Sequence, residues 1–251
     1  MVENKLMNTA DVASIFIEKY KNNKIRTIGN KVQQSNTIEI QNIQFEVDKP
    51  WIIREPNYEY FKKELEWYKS ESLNVNDIPD GAPVMWKMCA DNLGYINSNY
   101  GWMIWSKDNY EQYKNCLNKL IEDPHTREAC MIYNRPSMQE EYNKNGMHDF
   151  CCTYAVQCFL NEDENNTLHL KYIVYMRSND AVFGFDNDVL WHQEVQQQLA
   201  KDLLFNKINI EVNKDTPIIC DPIIWNAGSL HIYERHFKYL EELMQQNSES
   251  K

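Results

Sequence analysis

The chain has 251 residues, of which 43% are hydrophobic and 25% are charged, and its formal net charge is −11 at pH 7. This composition is typical of a globular protein that buries a sizeable core. The acidic balance argues against general nucleic-acid binding, which usually requires a basic stripe. No stretch approaches the roughly eighteen apolar residues of a membrane span, and the N-terminal stretch "MVENKLMNTADVASIF" has no signal-peptide core.

The cysteine pattern indicates free thiols in a reducing compartment. The seven cysteines follow no regular framework and include no CxxC pair; they are residues 89, 116, 130, 151, 152, 158 and 220. His148 beside two of them is too little for a zinc site. We therefore expect neither disulfides nor a metal.

Periodicity of the apolar residues predicts alternating helices and strands. In chain order they are a helix capped at Thr9 and extending to Tyr20, a strand over 37–47, a helix over 58–70, a loop over 72–83, a helix over 108–123, strands over 129–133, 151–160 and 167–176, a helix over 187–205, a strand over 216–225 that Pro222 confines to an edge or bulge, and a helix over 231–246. No repeat or Gly/Ser linker interrupts them, so we expect a single α+β domain over 1–251 with poorly ordered termini.

Two adjacent cysteines in "DFCCTY" (149–154) raise the question of which one has a chemical role. Neighbouring residues on a strand point to opposite faces. One of Cys151 and Cys152 therefore faces packed helices, and the other faces whatever lies across the sheet. From these residues alone, both could still be ordinary core cysteines.

Common nucleotide-binding and hydrolase fingerprints are absent, but six dispersed polar clusters resemble the thymidylate synthase family, in the family's order. They are "ELEW" (64–67), "NYGW" (99–102), "DPHTRE" (123–128), "DFCCT" (149–153), "RSND" (177–180) and "GSLHIY" (228–233). The resemblance implies a layered α+β fold, with a mixed β-sheet flanked by helices and a homodimer formed through the sheet face.

Further stretches resemble the branch of the family that hydroxymethylates deoxycytidylate in T-even bacteriophages. They are "ELEWYKS", "INSNYGW", "RPSMQ", "MRSND", "VFGF" and "WNAGSLHIYERHF". This resemblance covers about residues 37–237. It implies a phage-encoded enzyme of the bacterial cytoplasm that transfers the methylene of 5,10-methylenetetrahydrofolate to carbon 5 of dCMP and adds water, releasing tetrahydrofolate.

The resemblance also implies roles for the catalytic residues. Cys152 would add to carbon 6 of the pyrimidine, because a thiolate both adds and leaves well, with Cys151 as the packing residue. Glu64 would organise proton transfer around the ring, whereas Glu66, two positions further along the helix, would be a surface residue. Tyr100 would assist removal of the carbon 5 proton through a water.

Asp188 in "GFDND" (184–188) is the expected determinant of base specificity. The synthases have an asparagine at the corresponding position, which complements uracil. An ionised carboxylate only accepts hydrogen bonds, so it suits the amino group of cytosine. The alternative is that Asp188 merely caps the helix, with Asn187 competing for that role.

Other residues are carried over from the family as ligands of substrate and folate. Arg177 and Ser178 would bind the 5′-phosphate, with Arg127 from the other subunit and Lys31 as further phosphate ligands; His231 and Tyr233 would bind the 3′-hydroxyl; Asp180 and Trp86 would bind folate. We expect no direct binding of nucleic acid or membrane.

Two departures from the family pattern leave alternatives open. Glu128 occupies the position of a second phosphate-binding arginine, and the chain ends in the polar stretch "QQNSESK" instead of an apolar tail. A synthase or hydroxymethylase acting on dUMP would keep Cys152 and Glu64 but read uracil with another residue. A catalytically inactive member that binds nucleotide or a protein partner is the third hypothesis, and Glu128 supports it best.

Overall fold

The computed structural model describes residues 6–29, 34–140, 143–206 and 218–249. The α-helices in these ranges are α1 (Thr9–Lys21), α2 (Tyr58–Lys69), α3 (Val84–Cys89), α4 (Tyr100–Trp105), α5 (Gln112–Glu122), α6 (Gly184–Phe205) and α7 (Phe237–Glu249). The strands are β1 (Arg26–Gly29), β2 (Gln34–Val47), β3 (Cys130–Ile132), β4 (Thr153–Glu162), β5 (Leu168–Met176), β6 (Asn179–Asp180), β7 (Ile219–Cys220) and β8 (Ile223–Tyr233).

The described residues form two compact units, and each is assembled from separate stretches of chain. Unit 1 draws on Met1–Pro56, Tyr175–Gln193 and Pro222–Lys251, and unit 2 on Asn57–Val174 and Glu194–Asp221. Helix α6 begins in unit 1 and ends in unit 2.

Unit 1 is built on the long strand β2. Strands β1 and β8 pair with β2 in antiparallel fashion, and β6 pairs with β8 in parallel. Helix α1 packs on β2. Buried aromatic rings fill the core: Phe185 lies 5.7 Å from Phe45 and 5.2 Å from Trp225 between ring centroids. Burial of each such side chain stabilises the fold by about 1.5–3 kcal/mol.

Unit 2 contains the remaining strands and a second aromatic core. Strand β4 lies between β3 and β5, β3 is antiparallel to β4, and β7 is parallel to β5. Helix α5 packs on β3 and β4. Both units therefore combine parallel and antiparallel pairs with helices, which confirms the predicted α+β class with a mixed sheet.

The predicted elements omit β1, α3, α4 and β6, and they also differ from the structure at the C-terminus. Residues 231–233, predicted as the start of a helix, instead form the end of β8, and α7 begins only at Phe237. Leu230 and Ile232 are buried, and His231 pairs with Glu39 of β2. The pairing of β8 with β2, which is far away in sequence, thus determines the conformation of residues 231–233, although the spacing of their apolar residues predicted a helix.

Smaller differences concern the ends of elements. The cap of α1 is Asn8, whose side chain accepts from the Asp11 N–H in a capping box, whereas Thr9 is already helical. Strand β4 begins at Thr153, so both adjacent cysteines precede it. Pro222 lies between β7 and β8, and residues 216–217 of the predicted strand lie outside the described ranges.

Candidate active site

Glu64 is a buried carboxyl group in α2, with only 3% of its surface exposed. Its Oε1 accepts a hydrogen bond from the Tyr60 hydroxyl at 2.7 Å and one from the Trp86 indole N–H at 2.8 Å. Burial raises the pKa of Glu64, and the two hydrogen bonds partly oppose that rise. Glu66 is exposed, as predicted. A carboxyl group in this environment holds its proton to a higher pH than an exposed glutamate does.

The two adjacent cysteines lie in different environments. Cys151 is completely buried, and its Sγ lies 3.7 Å from Met103 Sδ and 3.2 Å from the Thr153 carbonyl oxygen. Cys152 is partly exposed, directly before β4. These environments agree with packing as the role of Cys151 and leave Cys152 as the thiol that a ligand can reach.

Asp149 holds the segment that leads to Cys152. Its buried carboxylate accepts hydrogen bonds of 2.7 Å from the Asn97 N–H, the Ser98 N–H and the Ser98 hydroxyl. The side-chain amides of Asn97 and Asn134 donate to the carbonyl oxygens of Asp149 and Cys151, at 2.7 and 3.2 Å. The segment before β4 is therefore fixed on both sides by buried hydrogen bonds.

Tyr100 is the first residue of α4 and is buried beside the start of β4. Its hydroxyl oxygen accepts from the Thr153 hydroxyl at 3.0 Å, and its ring lies 5.4 Å from Tyr68 and 5.3 Å from Tyr133 between centroids. Thr153 follows Cys152 directly, so the structure brings Tyr100 to the strand that the cysteine precedes.

The glycine after Tyr100 permits a close approach between α2 and α4. A Cβ atom on Gly101 would lie 1.8 Å from the Tyr68 carbonyl oxygen, a backbone atom. Only glycine fits such a contact. The side chain of Asn99 caps α4 by accepting from the Trp102 N–H at 2.8 Å. The "NYGW" cluster therefore places Tyr100 through packing and capping together.

Arg127 is exposed on the loop before β3, and its carbonyl oxygen accepts from the Gln157 side chain at 2.9 Å. Its neighbour Glu128 forms a salt bridge of 2.8 Å with Lys119. Lys119 lowers the pKa of Glu128 by hydrogen bonding and by its charge. The negative charge of Glu128, which the family pattern lacks, is thus paired with Lys119 of the same chain.

In unit 1, Arg177 and Ser178 form the half-buried connection between β5 and β6. The Arg177 carbonyl oxygen accepts from the Ser229 N–H at 3.1 Å. A Cβ atom on Gly228 would lie 3.1 Å from the same oxygen, so the neighbouring strand passes close to the Arg177 backbone.

His231 and Tyr233 lie two residues apart on β8, and therefore on one face of the strand. Their rings are 4.8 Å apart, and His231 pairs in register with both Glu39 of β2 and Asp180 of β6. Burial lowers the pKa of His231, although the charges of Asp180 and Glu39 oppose this. A neutral imidazole can donate to or accept from a hydroxyl group.

Asp180 is half-buried in β6. Its Oδ1 accepts from the Val182 N–H at 2.9 Å, and its Oδ2 lies 3.5 Å from His236 Nδ1. As an acceptor, this carboxylate has the chemistry needed for the amino and ring N–H donors of a pterin. In unit 2, the half-exposed indole of Trp86 already donates its N–H to Glu64.

Asp188 lies inside α6, four residues after the helix begins at Gly184. Its Oδ2 accepts a hydrogen bond of 2.7 Å from the side-chain amide of Asn179. The alternative in which Asp188 caps the helix is therefore wrong, since an N-cap residue precedes the first helical turn. Its carboxylate is instead held by a neighbouring strand.

Within each unit, the structure brings several predicted residues together. Glu64 contacts Trp86, Tyr100 contacts the residue after Cys152, and Asp180 pairs with His231. Lys31 lies outside the described residues. Sequence reasoning gave no role to Tyr60, Asp149, Glu39 or Asn179; these residues are revealed only by their side-chain hydrogen bonds.

The described residues contain no group of three or more His, Cys, Asp or Glu side chains placed to hold a metal ion. A search of the same ranges finds no helix with the length and apolar character of a membrane span.

The sequence of this chain is similar to those of several known proteins. Proteins named deoxycytidylate 5-hydroxymethyltransferase from Enterobacteria phages T4 and T6 are each 48% identical to this chain over 201 residues, which are 80% of this chain and 77% of each relative. A thymidylate synthase from Bacillus atrophaeus is 25% identical over 191 residues, covering 73% of this chain and 74% of the relative.

The fold is also similar to that of a solved structure. Thermostable thymidylate synthase A from Bacillus subtilis matches with a TM-score of 0.65 and 21% identity, over 95% of this chain and 84% of that one. The family model described as thymidylate synthase matches residues 21–251. The chain therefore belongs to the thymidylate synthase family.

Proposed function

We propose that this protein is a deoxycytidylate 5-hydroxymethyltransferase. The observation that carries the proposal is the Asp188 carboxylate, held at 2.7 Å by Asn179, at the position where the synthases have an asparagine. An ionised carboxylate accepts from the cytosine amino group but repels the carbonyl oxygen of uracil. The 48% identity to the phage hydroxymethyltransferases supports the same assignment.

Cys152 is the proposed nucleophile of the reaction. Its thiolate forms a bond to carbon 6 of dCMP, which makes carbon 5 electron-rich. The cosubstrate 5,10-methylenetetrahydrofolate supplies the electrophilic one-carbon unit that carbon 5 attacks. Removal of the carbon 5 proton and release of tetrahydrofolate leave an exocyclic methylene on carbon 5. Water adds to this methylene, and Cys152 then leaves carbon 6, so the thiol is regenerated. The partly exposed position of Cys152 before β4 is consistent with this role.

Glu64 and Tyr100 are proposed to move protons. The raised pKa of Glu64 places its proton exchange closer to neutral pH, as a group that takes and returns protons around the ring requires. Tyr100 assists removal of the carbon 5 proton through a water. Asp188 also shares a proton with ring nitrogen 3, which makes carbon 6 more electrophilic.

The remaining polar residues are proposed to bind the two substrates. Arg177 and Ser178 bind the 5′-phosphate together with Lys31, His231 and Tyr233 bind the 3′-hydroxyl, and Asp180 and Trp86 bind the pterin. The acceptor chemistry of Asp180 and the half-exposed ring of Trp86 fit this assignment.

We also propose that the chain acts as one catalytic domain in a homodimer, with Arg127 reaching the phosphate of the partner's site. Strands β3 and β4 of unit 2 expose large apolar side chains: Ile132 is 53% exposed and Tyr154 is 46% exposed. Such side chains on neighbouring strands favour burial against a second copy. Because the hydroxymethyltransferases named above come from Enterobacteria phages, we place the enzyme in the cytoplasm of the infected bacterium.

The test is the mass of the product formed from dCMP, dUMP or CMP with 5,10-methylenetetrahydrofolate. We expect dCMP to gain about 30 mass units, one CH₂O, whereas methylation would add about 14. The variant Cys152→Ser should lose turnover by orders of magnitude. The matched control Cys151→Ser changes the packing cysteine and should retain the reaction. A product from dUMP alone would support the uracil-directed alternative, and no product from any nucleotide would support the inactive one.

A further inference from the structure

Asn179 is the unassigned third position of the "RSND" cluster, and its side chain contacts Asp188. Asn179 is 3% exposed in β6, and its Nδ2 donates to Asp188 Oδ2 at 2.7 Å. Both residues belong to unit 1. A hydrogen bond from a buried amide to a carboxylate is short and strong, so it fixes the plane of the carboxyl group.

The orientation of this amide is determined by chemistry. If the amide were turned over, its oxygen would face the carboxylate, and two acceptors cannot form a hydrogen bond. With Nδ2 directed at Asp188, the Oδ1 atom of Asn179 is buried and has no hydrogen-bond partner among the residues described. A buried acceptor of this kind is destabilising unless a donor reaches it.

Asn179 therefore holds an acceptor, the Asp188 carboxylate, in a fixed orientation. An amino group is an N–H donor and can satisfy such an acceptor. A carbonyl oxygen at the same place would meet acceptors only. The pair thus has the chemistry to select a 4-aminopyrimidine and to reject a 4-oxopyrimidine.

We propose that Asn179 is a specificity-determining positioning residue, which orients Asp188 through Nδ2 so that the carboxylate accepts from the amino group of the pyrimidine. This inference rests on the proposed function, because it assumes that Asp188 reads the base. It goes further by dividing base recognition between a strand residue and a helix residue.

The first test measures kcat and KM for dCMP and dUMP with Asn179→Ala. We expect kcat/KM for dCMP to fall about tenfold or more, mainly through KM, while the value for dUMP stays the same or rises. The matched control is Asn187→Ala, which removes another amide with an unpartnered buried Oδ1 whose Nδ2 faces the Phe183 carbonyl oxygen at 3.5 Å. The control should keep the preference for dCMP.

A merely structural role would lower kcat/KM for both nucleotides equally, and that result would overturn the inference. The second variant, Asn179→Leu, keeps the approximate volume and removes both polar atoms, so it decides the question if the alanine variant does not fold. In an Asp188→Asn background, Asn179→Ala should change the dCMP to dUMP ratio less than about twofold, since the two residues act together. Additive effects would also overturn the inference.

Failure of the proposed function would give a different result. If the wild-type protein formed no product from dCMP, equilibrium dialysis with dCMP and dUMP would still report the binding preference. A preference for dCMP that Asn179→Ala removes would support the role of Asn179. A preference that the substitution leaves unchanged would refute it, whatever reaction the enzyme performs.

Discussion

At the scale of the residue, Glu64 couples stability to pH. Its pKa is raised in the folded protein by burial, so the folded state holds this proton more tightly than the unfolded chain. Between the ordinary glutamate pKa of about 4.3 and the raised folded value, the unfolded state releases its proton first. Stability is therefore greatest below this window and falls as pH rises through it.

The substitution Glu64→Gln should remove that loss of stability. A glutamine oxygen can still accept from Tyr60 and Trp86, and the amide does not ionise. We expect the difference in Tm, variant minus wild type, to grow as pH rises through the window, by up to about 3–5 °C per pH unit. The variant should also be nearly inactive. Calorimetric melting from pH 4 to 8 checks the prediction, and a constant difference in Tm would contradict it.

Asp188 gives the second prediction at this scale. An amide at position 188 can donate to a carbonyl oxygen as well as accept, so Asp188→Asn should shift the preference from dCMP towards dUMP. A mismatched buried polar group costs about 1–3 kcal/mol, which corresponds to roughly a 10- to 100-fold change in the ratio of kcat/KM values. The matched control is Asp186→Asn, a neighbouring buried carboxylate that lies 4.0 Å from Arg54. If both variants kept the wild-type ratio, Asp188 would have no role in recognition.

At the scale of the element, the contact between α2 and α4 depends on Gly101. A methyl group there would collide with the Tyr68 carbonyl oxygen, and neither backbone can yield without moving a helix. We expect Gly101→Ala to destabilise the protein by at least about 1–3 kcal/mol. This corresponds to a fall in Tm of about 2–12 °C. Gly184→Ala is the control, because a Cβ atom there comes no closer than 3.5 Å to its neighbours. Equal melting of the two variants would rule out the steric argument.

The segment before β4 gives a second prediction for an element. Asp149→Asn would keep an oxygen for the N–H groups of Asn97 and Ser98 only with its NH2 group towards the Ser98 hydroxyl, and it would remove the negative charge that strengthens all three hydrogen bonds. We expect a loss of about 1–3 kcal/mol in stability and a lower rate of Cys152 alkylation. The control is Asp163→Asn. The Asp163 carboxylate also accepts from two backbone N–H groups, but it lies in the turn between β4 and β5 and should not affect Cys152. An unchanged alkylation rate in Asp149→Asn would show that the segment is positioned in another way.

Elements with local signals could be predicted from the sequence. The spacing of the apolar residues predicted the bounds of α2 to within one residue. It also correctly predicted that Glu64 lies towards the buried side of the helix and Glu66 on the exposed side. The end of β8 could not be predicted, because His231 is in a strand through its pairing with Glu39 and Asp180, which are both far away in sequence. Secondary structure at such positions depends on tertiary contacts.

The candidate site could be predicted only in part, for the same reason. Cys152, Glu64 and Asp188 stand in stretches that resemble the family, so their types and order made them candidates. The sequence did not indicate which side chains donate hydrogen bonds to these residues. Trp86, which donates to Glu64, is 22 residues away from it, and Asn179, which donates to Asp188, is 9 residues away. No periodicity connects such pairs, because the fold alone determines which side chains meet.

At the scale of the whole molecule, the proposed dimer makes each active site depend on two chains. In this proposal Arg127 binds the phosphate in the partner's active site, whereas Cys152 and Glu64 act in the active site of their own chain. Mixing the inactive variants Arg127→Ala and Cys152→Ser should therefore create heterodimers with one intact site, formed by the chain with Cys152 and the partner with Arg127. Random exchange in an equal mixture puts half the chains into heterodimers, so activity should return to about a quarter of the wild-type value.

A mixture of Cys152→Ser and Glu64→Gln is the control for this complementation. Both residues belong to the same site of the same chain, so every site in the mixed dimer lacks one of them and no activity should return. Because the exchange of subunits is the same in both mixtures, the difference between them reports only whether Arg127 acts across the interface. If the mixture with Arg127→Ala stayed inactive while size-exclusion chromatography showed heterodimers, Arg127 would have to act within its own chain. If both mixtures recovered activity, Cys152 and Glu64 could not belong to one chain's site.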